Sequence, residues 1–210
     1  MSEREPAAEV DGTELGAAER MAFFSDAVVA IAITLLAIDL QVPKGSTFAE
    51  IGAAFGANWN AYLAFLISFA VIGRHWISHH RLFRYVRRAD TITIWINLAW
   101  LLMIVLTPFL TQFIADEQVD FAHFTIYALA QTLQILIFTA LVLRLDRTDA
   151  FRPDTPAHWR GLEGWFGAMV SAVAFVVSIP TFPLLGSWAF VLWGVIPWLG
   201  GMLEKRLLRS

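Results

Sequence analysis

The 210-residue chain has no cysteine, which rules out both a disulfide framework and a thiolate metal site. It is also poor in charge. Asp, Glu, Lys and Arg make up 16% of it, and hydrophobic residues 58%. A soluble domain carries about a quarter charged residues. With a mean hydropathy of +0.61, the composition excludes an ordinary soluble globule and points to a polytopic membrane protein. The net charge of −3 says less than the distribution of charge. The first 19 residues hold six acids, one arginine and no apolar run. They lack the basic start and apolar core of a signal peptide and read as a polar tail.

Six apolar segments stand out, at roughly 20–40, 59–80, 91–113, 122–144, 161–182 and 187–203. About 20 apolar residues cross a bilayer core, with about 17 as the lower limit. The sixth segment is short and holds Pro197, and the fifth ends in Ile-Pro-Thr-Phe-Pro, so these two are expected to form a tightly linked hairpin. Stretches 81–90 and 144–160 hold four Arg each and the chain end holds three basic residues, whereas 41–58, 114–121 and 183–186 hold only Lys44. The positive-inside rule then puts both termini in the cytoplasm, in a multi-pass protein of the cell membrane. The expected organisation is all-α: a polar cytoplasmic tail at 1–19, one six-helix transmembrane unit at 20–204 and a basic cytoplasmic end at 205–210.

The first span, RMAFFSDAVVAIAITLLAIDL, is the most informative. It contains no Gly or Pro, yet it carries Asp26 inside the apolar run. Such a carboxylate costs several kcal/mol unless it is paired. At about 100° per residue, Ile31, Thr34, Leu35 and Ile38 share one arc, with Arg20 and Phe24 on the same side and Asp26 pointing roughly the other way. Spacing alone reads that arc as ordinary helix packing. Ala27, Ala30, Ala32 and Ala37 allow close approach of neighbouring helices and suit a crowded, central position.

Asp26 lies about 9 Å in from the cytoplasmic end of its helix. With the second helix ending near His80 and the third starting near Thr91, His75, Trp76 and Asn97 fall at a similar depth. Ser25, Asp26, His75, Trp76 and Asn97 are therefore expected to meet in one buried layer, with Arg20, Arg74 and His79 just below. Two readings stay open for this layer: a lock between three helices, or a proton relay built from Asp26 and His75. His75 and His79 lie one turn apart, but no Glu or Cys joins them as a third metal ligand. His123 and His158 sit at the wrong depths to pair with His75 around a haem. No metal, no cofactor and no nucleic-acid partner is expected. The sequence has no nucleophile–base arrangement, no glycine-rich phosphate loop, no TVGYG carbonyl filter, no voltage-sensor helix and no calcium loop. An enzyme reading has nothing beneath it.

Arg20-x-x-x-Phe24-Ser25-Asp26 followed by AVVAIAITLLAIDL resembles the signature of the prokaryotic homologues of the lysosomal potassium channel called transmembrane protein 175. Trp76-x-x-His79-His80-Arg81, Asn97 and the six-span layout extend the resemblance over the chain from Arg20 onward. It implies a potassium-permeable cation channel without a carbonyl filter, assembled as a homotetramer, with the first helix of each subunit lining a central pore. Carried over to this chain, Ile31, then Leu35 and Ile38, would constrict the pore, and Thr34 would form a hydroxyl layer linked to potassium preference. Arg20, Ser25 and Asp26 would belong to the polar network holding the helix. Asp39 would sit at the external mouth; read without the resemblance, it is a solvated helix end. The alternative is a proton-coupled secondary transporter using Asp26 and His75. The unbroken first helix and the absence of a repeat weigh against it. A purely structural membrane protein is a third reading.

Overall fold

The computed structural model describes residues 5–207 apart from Glu117 and residues 161 and 162, with side chains over 16–202 apart from Glu117, His158 and 161–167. Its helices are α1 (Glu5–Leu35), α2 (Phe48–Ala57), α3 (Trp59–Phe83), α4 (Thr91–Thr111), α5 (Phe121–Arg147), α6 (Glu163–Leu185) and α7 (Leu192–Leu207). Four helical stretches are long and apolar enough to cross a membrane: Trp59–Phe83, Thr91–Ile114, Phe121–Arg147 and Ala168–Met202. The protein is thus an all-α membrane protein. In α1 the apolar run is interrupted by Glu19, Arg20 and Asp26.

The stretch Ala168–Met202 contains α6 and α7 folded back on each other. The reversal passes through Gly186, whose φ of +54° is open to glycine at no steric cost, and continues in the short 3-10 segment Gly186–Val191. Gly200 of α7 packs directly on α6, since a Cβ there would fall 2.5 Å from Val170 Cγ1. Pro180 and Pro183 do not end α6. The Thr181 hydroxyl donates to the carbonyls of Val177 at 3.2 Å and Ser178 at 3.0 Å, the kind of side-chain contact that keeps a proline-bearing membrane helix satisfied.

Three further boundaries differ from the sequence reading. Residues 5–19, read as a tail, continue α1; Ala, Glu and Leu are strong helix formers, and Pro6 is tolerated in a first turn. At the other end α1 stops at Leu35 rather than reaching 40. There the bonds shorten to Ala37 N to Thr34 O at 3.1 Å and Ile38 N to Leu35 O at 3.1 Å. The stretch read as a plain loop at 41–58 contains α2, opened by a capping box between Thr47 and Glu50. The basic end at 205–210 runs past residue 207 and so lies partly outside the described residues.

Two apolar clusters hold the bundle. One surrounds Trp100, with Val29 and Ala32 of α1, Leu36 just beyond its end, Ile72 of α3, Ile104 of α4 and Leu141 of α5. The other is aromatic, with Phe124 stacked on Phe182 at 4.2 Å and Tyr127 on Trp193 at 5.3 Å. At the arginine-rich end the α3–α4 and α5–α6 connections meet in an antiparallel bridge between Val86 and Phe151.

Candidate functional site

The two sides of α1 differ sharply. Ala18, Ser25, Val29, Ala32 and Leu36 are buried at intervals of seven, four, three and four residues, which is one helix stripe, and this stripe packs on α3 and α4. Phe24, Ala27, Ile31, Thr34 and Leu35 form the opposing, exposed side, with Ile31 61% exposed. The exposed side is apolar apart from Thr34. The Thr34 hydroxyl is exposed and donates to the Ile31 carbonyl at 2.8 Å, which leaves its oxygen lone pairs as acceptors. Ile38 is also exposed, but it lies in the turn after α1 and not on the helix. Asp39 is exposed too, and its carboxylate accepts from the Gln112 amide at 2.8 Å, pinning the turn to the far end of α4.

Behind the exposed side the polar residues form two groups rather than one layer. The first is buried. The Ser25 hydroxyl donates to the Met21 carbonyl at 2.8 Å and accepts from the Asn97 amide at 3.0 Å, while the Asn97 carbonyl oxygen faces His79 Nε2 at 2.9 Å. Since that oxygen only accepts, His79 Nε2 donates. The His79 ring is sandwiched between Phe83 at 4.2 Å and Trp100 at 4.4 Å. Ser25 Oγ, both ends of the Asn97 amide and His79 Nε2 are linked in series, so these bonds fasten α1, α3 and α4 together.

The second group is half exposed. The Trp76 indole donates to Asp26 Oδ1 at 2.9 Å, and His80 Nδ1 lies 3.7 Å from Asp26 Oδ2. Asp26 does not bond to His75 or Asn97. His75 turns to the other side of α3, toward Gln131 of α5. The proposed relay pair therefore does not meet. Arg74 is also drawn away, donating to Ser171 Oγ of α6 at 2.8 Å. Among the described residues Arg20 makes no hydrogen bond or ion pair within the chain. The physical reason for the shift is helix length. Because α3 continues to Phe83, His79 rather than His75 comes level with Asn97.

Sequence reasoning quoted His80 in the Trp76-x-x-His79-His80-Arg81 motif but gave it no place in the polar network, although it is one turn beyond Trp76 and so shares its face. It also missed a second buried polar cluster. Thr111 donates to Ser68 Oγ at 2.8 Å, and Ser68 Oγ lies 3.0 Å from the Tyr127 hydroxyl, tying α3, α4 and α5. Among the described residues no group of three His, Cys, Asp or Glu could hold a metal.

Residues 20–108 match the family model described as endosomal/lysosomal potassium channel TMEM175. That stretch includes both polar groups and the exposed side of α1. A potassium channel of Streptomyces collinus is 34% identical over 179 residues, 82% of each chain. The mouse endosomal/lysosomal proton channel TMEM175 is 42% identical over 79 residues, which are 34% of this chain but 16% of the mouse protein. Among solved structures, a lysosomal potassium-selective channel TMEM175 homologue from Chamaesiphon minutus superposes with a TM-score of 0.63 at 27% identity, over 88% of this chain and 98% of that one. The chain therefore belongs to the TMEM175 family, a family of channels and not of enzymes.

Proposed function

We propose that the protein is a potassium-permeable cation channel of the cell membrane. It is a homotetramer in which α1 of each subunit lines a central pore, with α1 and α3–α7 as six spans and both termini cytoplasmic. The observation that carries this reading is the apolar, exposed side of α1 opposite a buried side locked by Ser25, Asn97 and His79. A helix that is fixed from behind and apolar in front is built to meet copies of itself around an axis. The names of the Streptomyces and Chamaesiphon relatives support potassium as the permeant ion.

On this reading Ile31 and Leu35 form a hydrophobic constriction that gates by dewetting. Thr34 between them presents hydroxyl oxygens to a passing ion. Ile38, in the turn beyond the helix, lines the widening above. Asp39 stands at the external mouth, where a ring of carboxylates concentrates monovalent cations. Arg20, which makes no hydrogen bond or ion pair among the described residues, contacts a neighbouring subunit.

The test is a planar bilayer containing the purified protein, with a potassium gradient and with sodium as competitor. Unitary current steps reversing near the potassium potential support the channel. Gradient-coupled uptake without unitary steps would instead favour a transporter. The separation of Asp26 from His75 counts against the proton-coupled version of that alternative.

A further inference from the structure

We propose that each subunit holds bound water in its interior, between α3 and α5, where it bridges His75 to the side-chain amides of Gln131 and Gln134. The site lies within one subunit and does not depend on the reading of α1 as a pore helix. Gln131 and Gln134 are 0% and 1% exposed. Among the described residues none of their four amide nitrogen and oxygen atoms has a hydrogen-bond partner. The two residues stand three apart on α5, so they share a face with their Cβ atoms about 5–6 Å apart. A buried amide left bare is costly, and buried polar groups are paired with protein or with ordered water.

The register of the helices brings these amides to His75. Helices α3 and α5 run in the same direction. At one level Ser68 Oγ of α3 lies 3.0 Å from the Tyr127 hydroxyl of α5, and beyond the far ends of both helices Val86 bridges Phe151. His75 is seven residues past Ser68 and Gln134 seven past Tyr127, about 10 Å along in each case. His75 faces Gln131, so the three side chains meet at one depth. Arg74 takes no part, since its guanidinium donates to Ser171 of α6. The balance of donors and acceptors then selects the occupant. Each amide offers an NH2 group that donates and a carbonyl oxygen that accepts, and a neutral imidazole offers one of each. A cation would leave the NH2 groups unpaired, an anion the carbonyl oxygens, and a lipid chain both. Water donates and accepts, and a buried water makes about three hydrogen bonds to such groups. It needs no standing path from outside, because it is enclosed as the helices pack.

The experiment is solid-state NMR of the full-length protein in liposomes, with isotope-labelled Gln and Asn side chains, reading magnetisation transfer from water protons to each side-chain amide. Transfer to Gln131 and Gln134 should be several-fold faster than to Asn97, whose amide is equally buried but bonded at both ends, to Ser25 and to His79. It should approach the rate at the exposed Gln112. Transfer to Gln131 and Gln134 as slow as to Asn97 overturns the proposal. Gln131→Met and Gln134→Met keep most of the volume, remove the amide and assign the two signals. Each should also lower the Tm by a few degrees, because the water and its remaining partner lose a bond. A Met variant at least as stable as the parent would show that the amide was bare, and overturns the site. The transfer measured in the parent stands even if neither variant folds. Loss of unitary currents would count against the channel reading and leave this readout unaffected.

Discussion

Val29 and Ile31 are two residues apart on α1 and face nearly opposite ways: Val29 is 3% exposed and Ile31 61%. Val29 packs with Ala32 and Leu36 into the cluster around Trp100. Burial of a Val or Leu side chain contributes about 1.5–3 kcal/mol, so this stripe anchors α1 to its own subunit. Ile31 has no such neighbour in the chain, and its place in the molecule depends on what the assembled channel puts against it.

Replacing Ile31 with Asn tests that place directly. In the proposed tetramer, a polar amide at this position would hold water where four isoleucines would expel it. A barrier lowered by about 1.4 kcal/mol raises conductance about tenfold. Single-channel recording should show this increase together with weaker discrimination of potassium from sodium. Unchanged conductance and reversal potential in Ile31→Asn would mean that Ile31 lies outside the ion path.

Thr34 offers a finer test, because its proton is already donated to Ile31 O. What remains for an ion is the oxygen. A neutral polar contact is worth about 0.5–1.5 kcal/mol, so Thr34→Ala should lower the potassium-to-sodium permeability ratio by about two- to tenfold. Thr34→Ser keeps the oxygen and should restore the ratio. If the alanine variant loses its tetramer with the ratio intact, Thr34 is a packing residue.

The buried and half-exposed polar groups should differ in stability. Asn97→Ala leaves the Ser25 hydroxyl and His79 Nε2 without their partner in a dry interior, at about 1–3 kcal/mol for each unsatisfied group. Asp26 keeps a third of its side chain exposed, so loss of its Trp76 bond in Asp26→Ala costs about 1 kcal/mol after solvent screening. Thermal unfolding of the detergent-solubilised oligomer should therefore rank Asn97→Ala well below Asp26→Ala. The reverse order would make Asp26 the principal anchor.

Much of the architecture was legible because membrane spans are long and uniform. Segments at 91–113 and 122–144 correspond to α4 and α5, whose ends carry side-chain caps from Asp90 and Asp120. That Ile31, Thr34 and Leu35 share one arc of α1 was legible from the period of 3.6, but their exposure was not, since spacing alone reads that arc as ordinary helix packing. Depth was not. Register between antiparallel helices depends on where each one ends, and the three extra residues of α3 beyond His80 exchanged His75 for His79 as the partner of Asn97. The end of α1 was equally hidden, because Asp39 is held by Gln112, a contact across 73 residues of sequence. The short α2 left a trace in Thr47-x-x-Glu50, whose capping box is a local signal.

The last prediction concerns Asp90, which caps α4 through Thr93 N at 2.8 Å and pairs with Arg144 of α5. The Arg144 guanidinium, followed by the two bonds from Thr93, holds the Asp90 carboxyl well below the usual carboxylate range. A depressed folded-state pKa means that the stabilisation is fully present above the unfolded pKa, about 4, and is lost as pH falls toward the folded value. Asp90→Asn keeps a weaker cap but removes the charge. Its deficit in thermal stability relative to the parent should stay constant between about pH 5 and pH 8 and shrink below about pH 4, as Asp90 of the unfolded parent becomes protonated. Both side chains are partly exposed, so the deficit should also diminish in high salt. A deficit that persists unchanged at acid pH would assign the role of Asp90 to geometry and not to charge. Arg144→Gln separates the two: it should reproduce the salt dependence while leaving the bonds from Thr93 in place.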